Sequence, residues 1–580
     1  METVSSSVDA SAAPADRQPG GRFTIRRRAA WLAAGYLLSS IAYLVLCLHL
    51  PVQFNSFADK DDGYFLGAAQ SILDGDWLGP YTHMTLIKGP GFAYFLALNH
   101  VLGTSVTLTL TLFFVAACAL LVRVIGRCLP LPDVALLGLF VALLFQPALM
   151  PSRILRDNLY HSLFLLALAG MITVTLDERR ERRLVRCFVW GLPVGLFWIT
   201  REEGIWVLPA FGLLLVARAW HLRRPVRTGL VPFAGTMVVF AVGASLPVLG
   251  TSAVNQAEYG IFSVTDINAA PFQSTSRVLD SIGGGTEIQR VPVSRESLRE
   301  AYAASPAFAE LRDNLDSPDN FWLGPGCDEY PDTCGEFAGG WFGWALRDAV
   351  YEAGHYSSAG EASRYYRQVT SELDEACATG ELRCSSGLLP IGPIVTRDTV
   401  GRLPSTMARA ARLTAYGPGS VPPVLTTVGV PAEVDRLEGF LGDPRTTESV
   451  EGAPVDAAGN GRGWLRAKSV VADIYSVVSP VVLVAGLLAF GIAVGLVLAR
   501  RPVRRRLLVV AGTCWVLYVS RLGLMSLIDV TSSPALISEY LEPAFLALWL
   551  AAWLSMAAAA PAVVRTLASR RSRGRRARRA

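Results

Sequence analysis

Long apolar runs recur along this chain and form two groups, which are separated by one large polar block. Most runs hold about 20 residues, the length that an α-helix needs to cross roughly 30 Å of hydrocarbon. The pattern predicts a polytopic α-helical membrane protein with about ten transmembrane helices. The predicted spans are 29–51, 104–124, 132–150, 158–176, 187–200, 204–219, 229–252, 472–499, 507–528 and 536–560.

The polar block covers residues 253–468 and is long enough to bury a modest core of its own. Apolar side chains recur at helical spacing around 337–356 and 359–378, so we expect one inserted, mainly α domain. The stretch 415–463 is rich in Gly, Pro and Thr, which is typical of a loop that leads back to the membrane. The segment 469–560 then holds the C-terminal transmembrane helices.

Arginine clusters lie at alternate ends of successive spans, and the positive-inside rule places them in the cytoplasm. Residues 1–28 are then a disordered, basic cytoplasmic N-terminus, and 561–580 an Arg-rich cytoplasmic tail. The polar block is extracytoplasmic in this topology. The net charge of +5 fits contact with anionic lipid headgroups, and no nucleic-acid partner is expected. Strong use of Arg over Lys and Ala-rich spans favour the inner membrane of a high-GC bacterium.

An acidic cluster, Asp59-Lys60-Asp61-Asp62, follows the first predicted span. Apolar residues between 65 and 73 recur at helical spacing, so an amphipathic helix is expected to begin at this cluster. Asp61 or Asp62 would cap its N-terminus by accepting backbone N–H bonds. One acid is enough for capping, and neighbouring carboxylates repel one another. A catalytic role therefore stays open beside the capping role.

Lys88 lies in the turn Lys88-Gly89-Pro90-Gly91, where Pro90 suits the first turn of another helix. A cation in this place meets the positive end of the helix dipole unless an anion binds between them. Lys60, Lys88 and Lys468 are the only lysines, and all are predicted to lie outside. We interpret Lys88 as a phosphate ligand. The alternative is that its side chain extends to the membrane interface.

The order of acidic pair, tyrosine, amphipathic helix, Gly-Asp-Trp and Lys-Gly-Pro over residues 55–100 resembles the first outer loop of GT-C glycosyltransferases. It is most similar to the bacterial aminoarabinose transferases and protein O-mannosyltransferases. Those enzymes pass a sugar from a polyprenyl-phosphate carrier to an acceptor on the outer face. The resemblance implies a GT-C-like module over 29–252, with its catalytic first outer loop at 53–103.

The resemblance also implies roles for individual residues. Asp61 matches the family's loop acid, the general base, and Asp62 stands where a second acid often follows. Tyr64 matches a recurring aromatic residue, and Lys88 matches the lysine that holds the carrier phosphate. The chain departs from the pattern in having Gly-Pro after Lys88, and Asp59 has no counterpart. The domain inserted before the last three spans is also unlike the usual C-terminal domain.

Charged residues at the outer ends of other predicted spans are further candidates. Arg156 and Arg201 are expected to bind a phosphate group by bidentate hydrogen bonds. Thr200 and Glu203 have the spacing of a capping box, and Asp157 suits a cap on the fourth span. The remaining candidates are Tyr64, His83, Arg153, Arg521, Asp529, Glu539 and Tyr540.

Arg521 has an alternative, structural interpretation. It lies near the outer end of the ninth predicted span, where ionisable groups are costly and need a partner. An Arg521–Asp529 or Arg521–Glu539 pair that holds two helices together would supply that partner.

Four cysteines lie in the polar block, with the spacings Cys327-x6-Cys334 and Cys377-x6-Cys384. An even number in an oxidising compartment indicates two disulfides, for which two local loops are the simplest of the possible connectivities. The spacing is wrong for a zinc site. We expect no metal among the site residues and no certain cofactor, although a divalent metal that bridges the acidic cluster and a phosphate stays open.

The chain is therefore predicted to be an inverting membrane glycosyltransferase. Its expected partners are membrane lipid, a polyprenyl-phosphate-linked sugar donor and an extracytoplasmic acceptor in the cell envelope. Asp61, with Asp62 or Asp59, would take the acceptor proton, and Lys88 with Arg156 or Arg201 would stabilise the departing phosphate. The alternatives are a lipid-linked glycan transporter or flippase, a non-catalytic envelope assembly protein, and an O-antigen ligase or polymerase with chemistry in the long outer loop.

Overall fold

The computed structural model describes residues 20–53, 55, 60–179, 181–223, 226–283, 288, 290–338, 340–385, 395, 397–417, 430–442, 460–501 and 503–577. Asp59, residues 1–19 and most of the predicted loop 415–463 lie outside these ranges, so the expectations for them stay predictions. Within them, two isolated β-bridges have both partners described, Gln53–Arg153 and Ile282–Cys384, and no β-strand is formed. The prediction of an α-helical protein is confirmed.

The first part of the chain forms nine helices, of which α2 and α3 lie in the loop between the first two membrane-spanning helices. Their bounds are α1 (Gly20–His49), α2 (Asp62–Asp74), α3 (Gly91–Val101), α4 (Val106–Cys128), α5 (Asp133–Leu144), α6 (Arg156–Leu176), α7 (Arg183–Thr200), α8 (Leu208–Leu222) and α9 (Val226–Tyr259).

The polar block follows as nine further helices, and three long helices complete the described chain. The nine are α10 (Ala270–Ser281), α11 (Arg295–Ala304), α12 (Pro306–Ala309), α13 (Arg312–Leu315), α14 (Leu323–Glu329), α15 (Phe342–Glu352), α16 (Ala359–Thr379), α17 (Arg397–Tyr416) and α18 (Pro431–Leu441). The last three are α19 (Asn460–Leu498), α20 (Arg505–Thr531) and α21 (Ser538–Ala577).

Nine helices of the described chain are long and apolar enough to cross a membrane. They are α1, α4, α6, α7, α8 with the short helical turn before it, α9, α19, α20 and α21. The third predicted span, 132–150, corresponds to α5, which is apolar but has only 12 residues. The chain is a multi-pass membrane protein, and α6 lies at the centre of its bundle, with nearly all of its side chains buried.

Polar contacts between loops define two ends of the bundle. At one end, which we call the arginine-rich end, Arg506 Nη2 lies 2.7 Å from Glu178 Oε1 and Arg504 Nη1 donates to the Pro130 carbonyl over 2.8 Å. At the other, which we call the site end, Lys468 Nζ donates to the Met150 carbonyl over 2.9 Å. Which end faces the cytoplasm stays a prediction.

A second hydrophobic core lies within α10–α16, which we call the inserted domain. Its buried side chains extend from Phe272 to Leu382, and α15 and α16 confirm the two helices predicted there. The structure pairs Cys327 with Cys334 and Cys377 with Cys384, with Cα–Cα distances of 4.4 and 5.6 Å. Both disulfides therefore close local loops. In contrast, α17 and α18 pack on the bundle core.

The first loop, residues 53–103, lies between the bundle and the inserted domain. Tyr81 packs against both hydrophobic cores, and its hydroxyl donates to Asp266 Oδ2 over 3.0 Å. The buried Arg347 of α15 forms an ion pair with Asp266 at 2.9 Å and donates from Nε to the His83 carbonyl over 2.8 Å. The domain thus holds the first loop against the site end of the bundle.

Candidate active site

Two turns of the first loop meet at Asp61 and Lys88. The ammonium group of Lys88 donates to the Asp61 carboxylate and, over 2.5 Å, to the Lys60 carbonyl. Lys88 is almost buried, whereas the Asp61 side chain stays 44% exposed. Tyr64 holds this turn in place, since its hydroxyl donates to the Thr85 carbonyl over 2.9 Å. Asp61, Tyr64 and Lys88, which the sequence analysis singled out, therefore lie together.

The helix-capping interpretation of the acidic cluster is wrong for Asp61. Helix α2 begins at Asp62 and Asp61 takes the N-cap position, but the Asp61 side chain makes no capping hydrogen bond. Its carboxylate turns to Lys88 instead, because a nearly buried ammonium group needs a charged partner. The Asp62 carboxylate binds Arg153, whose Nε lies 3.2 Å from Asp62 Oδ1. Both acids are thus used in ion pairs.

Glu202 connects the Lys88 turn to the bundle. Its carboxylate accepts two bonds from Arg156 Nη1, at 3.1 and 2.9 Å, and one from the Gly89 backbone N–H at 2.5 Å. Glu202 was not among the site residues predicted from the sequence. The one indication of its role in the sequence is that Glu202 directly follows Arg201, which was predicted to bind phosphate. Its partner in the structure, Arg156, is the second arginine predicted to do so.

Gly89 is needed because the Lys88 turn packs directly on the end of α7. A Cβ atom at position 89 would lie 2.2 Å from the Ile199 carbonyl oxygen, and that backbone atom cannot move away cheaply. The glycine-rich turn is therefore explained by close packing. A phosphate is not required to account for it.

We expect Gly89→Ala to displace Lys88 from Asp61 and to lower both thermal stability and activity. The matched control is Gly67→Ala in α2, where an added Cβ meets nothing within 4 Å. There the substitution should stabilise the protein by about 0.5–1 kcal/mol, because alanine is the better helix former. Thermal unfolding of both variants in one detergent tests this. Equal stability of the two would contradict the tight packing at Gly89.

A second charge cluster lies deeper, where Arg201 is 1% exposed. Arg201 binds the Asp157 carboxylate and, through Nη2, Glu203 Oε1 at 3.0 Å. Glu203 Oε2 accepts in turn from Arg521 Nη1 at 2.9 Å, and Arg521 also donates to the Tyr540 carbonyl at 2.9 and 2.6 Å. We call these residues the buried cluster: Asp157, Arg201, Glu203, Arg521 and Tyr540.

The buried cluster overturns three structural expectations. Thr200 and Glu203 form no capping box, because the Thr200 hydroxyl donates back to Leu196 and two arginines hold Glu203. Asp157 does not cap α6, whose N-cap is Leu155. Arg521 pairs with neither Asp529 nor Glu539, since Glu203 lies nearer across the bundle. The errors for Asp157 and Arg521 share one cause, a charged partner more than 40 residues away in the chain.

The last sequence candidates lie at the edges of the site. Asp529 is buried and pairs with Arg409 of α17 at 3.3 Å. Glu539 is exposed and Tyr540 half-buried in the first turn of α21. His83 lies on the side of the inserted domain, where its Nε2 contacts Asp348 at 2.8 Å.

A cavity of about 1110 Å³ opens between the site end of the bundle and the inserted domain. It exceeds the roughly 300–1,000 Å³ typical of small-molecule sites. Charged residues of the first loop and the bundle line one side, namely Asp61, Lys88, Arg153, Arg156, Asp157, Arg201, Glu202, Glu203, Lys468, Glu539 and Glu542. Asp61 and Lys88 are the ion pair that the first loop contributes to this lining.

The electrostatics of the first loop favour an ionised Asp61. Burial raises the pKa of its carboxyl group, but Lys88, Arg156 and Arg153 together lower it below the ordinary value. Burial and the nearby Arg156 lower the pKa of Lys88, and Asp61 offsets this only in part. For Asp62 burial prevails over Arg153, and the pKa of this carboxyl group is raised. Asp61 is therefore the carboxylate more readily kept deprotonated.

Among the described residues, no three His, Cys, Asp or Glu side chains are grouped as metal ligands would be. Asp59 lies outside those residues. A metal that bridges the acidic cluster and a phosphate therefore stays an untested alternative.

No family model matches this chain. No curated protein matches it either. The fold is similar to the crystal structure of ArnT from Cupriavidus metallidurans in the apo state, with 13% sequence identity and a TM-score of 0.31. The match covers 92% of this chain and 79% of that chain. We therefore infer function from the residues of the cavity.

Proposed function

We propose that the protein is a GT-C-like glycosyltransferase that moves a sugar from a polyprenyl-phosphate carrier to an acceptor hydroxyl. One observation carries the proposal: a partly exposed carboxylate, Asp61, lies beside the cations Lys88 and Arg156 in a large cavity at one end of a membrane bundle. A lipid-linked phosphate can reach such a place from the bilayer, and a soluble substrate can reach it from water.

The transfer step uses these residues in order. The acceptor oxygen attacks the anomeric carbon of the sugar, and Asp61 takes the hydroxyl proton. The bond from that carbon to the phosphate oxygen breaks, and its electron pair stays on the polyprenyl phosphate. Direct displacement inverts the anomeric centre. The extra negative charge on the phosphate is stabilised by Lys88 and Arg156.

The free hydrogen-bonding capacity of the cations supports this assignment. An ammonium group has three donors, and Lys88 uses two of them on Asp61 and Lys60. Arg156 binds Glu202 through Nη1 alone, so its other N–H groups can turn to a phosphate. Arg201, in contrast, is enclosed by Asp157 and Glu203. We assign Arg201 to positioning the end of α7, beside which Glu202 and Lys88 lie.

The test is transfer of labelled sugar by the full-length protein in nanodiscs. We expect transfer from a polyprenyl-phosphate-linked sugar and none from a nucleotide sugar. Lys88→Met should lower kcat/KM about 10²–10³-fold, the usual cost of losing one donor to a developing oxyanion. Arg466→Met, which removes an exposed cation at the same end of the bundle, is the control and should behave as wild type. Transport of the lipid-linked sugar without transfer would support a flippase instead.

The transfer rate should be flat from neutral pH down to about pH 5 and fall only below the ordinary aspartate pKa of about 3.9. Because the pKa of Asp61 is lowered, its carboxylate stays deprotonated and able to act as the base at every pH above that pKa, and the rate falls only as the pH drops through it. The lowered pKa of Lys88 should bring the alkaline fall below the ordinary lysine value of about 10.4. A kcat/KM profile against pH measures both limits. An acid limb near neutrality would assign the base to another group.

A further inference from the structure

The inserted domain gives the cavity a second wall with a different chemistry. Phe321, Trp341 and Trp344 line the cavity on the domain side, and we call these three residues the aromatic wall. The buried Trp322 supports them from behind, with its ring stacked on Trp341 at 5.5 Å and on Trp344 at 5.6 Å between centroids. Phe321 keeps 67% of its surface exposed.

Two consecutive residues of the first loop reach the two walls. Lys60 Nζ lies 3.3 Å from the Trp322 ring centroid and 4.7 Å from that of Phe321, a cation–π contact with the domain. The next residue, Asp61, binds Lys88 on the opposite, charged side. The carboxylate that we assign as the base thus lies at the junction of the two walls.

Polar contacts fix the helix that carries Trp344 and the Trp322 ring behind the aromatic wall. Trp344 is in the first turn of α15, and Asp348, one turn later, accepts a hydrogen bond from Trp322 Nε1 and contacts His83. Arg347 fixes the same helix to the His83 carbonyl and to Asp266. Side chains fixed in this way lose little conformational entropy when a ligand binds.

We propose that the aromatic wall is the acceptor subsite and binds the face of a neutral pyranose ring, with one hydroxyl directed to Asp61. The C–H groups on a pyranose face carry partial positive charge and suit the electron-rich face of an aromatic ring. The charged wall is left for the donor phosphate, and the cavity is large enough for both substrates. This inference rests on the proposed function, since it names the acceptor of that reaction.

Saturation-transfer NMR on the nanodisc-embedded protein tests the subsite without any turnover. The probes are neutral methyl pyranosides, with a methyl pyranoside phosphate as the charged comparison. We expect saturation to pass from the protein to the ring C–H protons of the neutral probes. Phe321→Ala should raise the Kd of these probes about 3- to 10-fold, the change that corresponds to the loss of one aromatic contact. Trp341→Leu should do the same.

Phe262→Ala is the matched control, because Phe262 is 59% exposed and does not line the cavity. It should bind the probes as wild type does. Absence of binding to every neutral probe, or equal Kd values for Phe321→Ala and Phe262→Ala, would overturn the subsite. Failure of the proposed function gives a different result, namely no sugar transfer from any lipid-linked donor even if the pyranosides bind.

Discussion

Asp61→Asn is expected to lower kcat for sugar transfer about 10²–10⁴-fold, the range that general-base catalysis usually supplies. The amide has nearly the shape of the carboxylate but cannot accept the acceptor proton at neutral pH. It can still accept the hydrogen bond from Lys88, so the first loop should keep its conformation. Donor binding should persist or strengthen, because Lys88 no longer faces a negative partner. Initial rates at saturating donor measure the loss.

Asp74→Asn is the control for this experiment. Asp74 is an exposed acid at the other end of α2, where it accepts only from Gln70 at 3.3 Å, and its loss should leave kcat unchanged. A wild-type kcat for Asp61→Asn would exclude Asp61 as the base. A large rise in donor KM with unchanged kcat would instead assign Asp61 to substrate binding.

Arg201→Met is expected to destabilise the protein by about 3–5 kcal/mol, the cost of removing one partner from a buried ion pair. Arg201 is 1% exposed and faces Asp157 and Glu203, so the substitution leaves carboxylates buried without their cation. Glu203 keeps Arg521, whereas Asp157 loses the ion pair that the structure shows for it. Thermal unfolding in one detergent measures the effect.

The double variant Arg201→Met/Asp157→Asn should recover part of this loss, because it removes the unpaired charge together with its partner. Arg506→Met is the surface control. Its pair with Glu178 is about half exposed on both sides, and such pairs contribute about 0–1 kcal/mol. If Arg201→Met were no more harmful than Arg506→Met, the buried cluster would have no role in stability.

The membrane-spanning elements could be predicted from the sequence because their signal is local. A continuous apolar run needs no knowledge of its neighbours, and all ten predicted spans correspond to apolar helices. The amphipathic helix after Asp61 and the two domain helices were predictable for the same reason. The short α5 shows the limit, since an apolar run of 132–150 became a 12-residue helix.

The pairing of charges was not predictable, because it depends on which helices become neighbours. Asp61 and Asp62 both offered a capping role, yet each carboxylate binds a cation that folding brings from elsewhere. Arg521 had two acids close in sequence but binds Glu203, 318 positions away. Trp341 and Trp344 were predicted only as part of a helix, and Phe321 was not predicted at all. The three rings form one surface only after folding brings them together near Lys60.

The position of Arg521 also constrains how the protein is made. Glu203 precedes α8, whereas Arg521 and Tyr540 lie in α20 and α21, which leave the ribosome some 318 residues later. Until those helices pack against the earlier ones, Glu203 lacks Arg521 and the buried cluster is incomplete. The buried cluster is therefore complete only after the last two helices have joined the bundle.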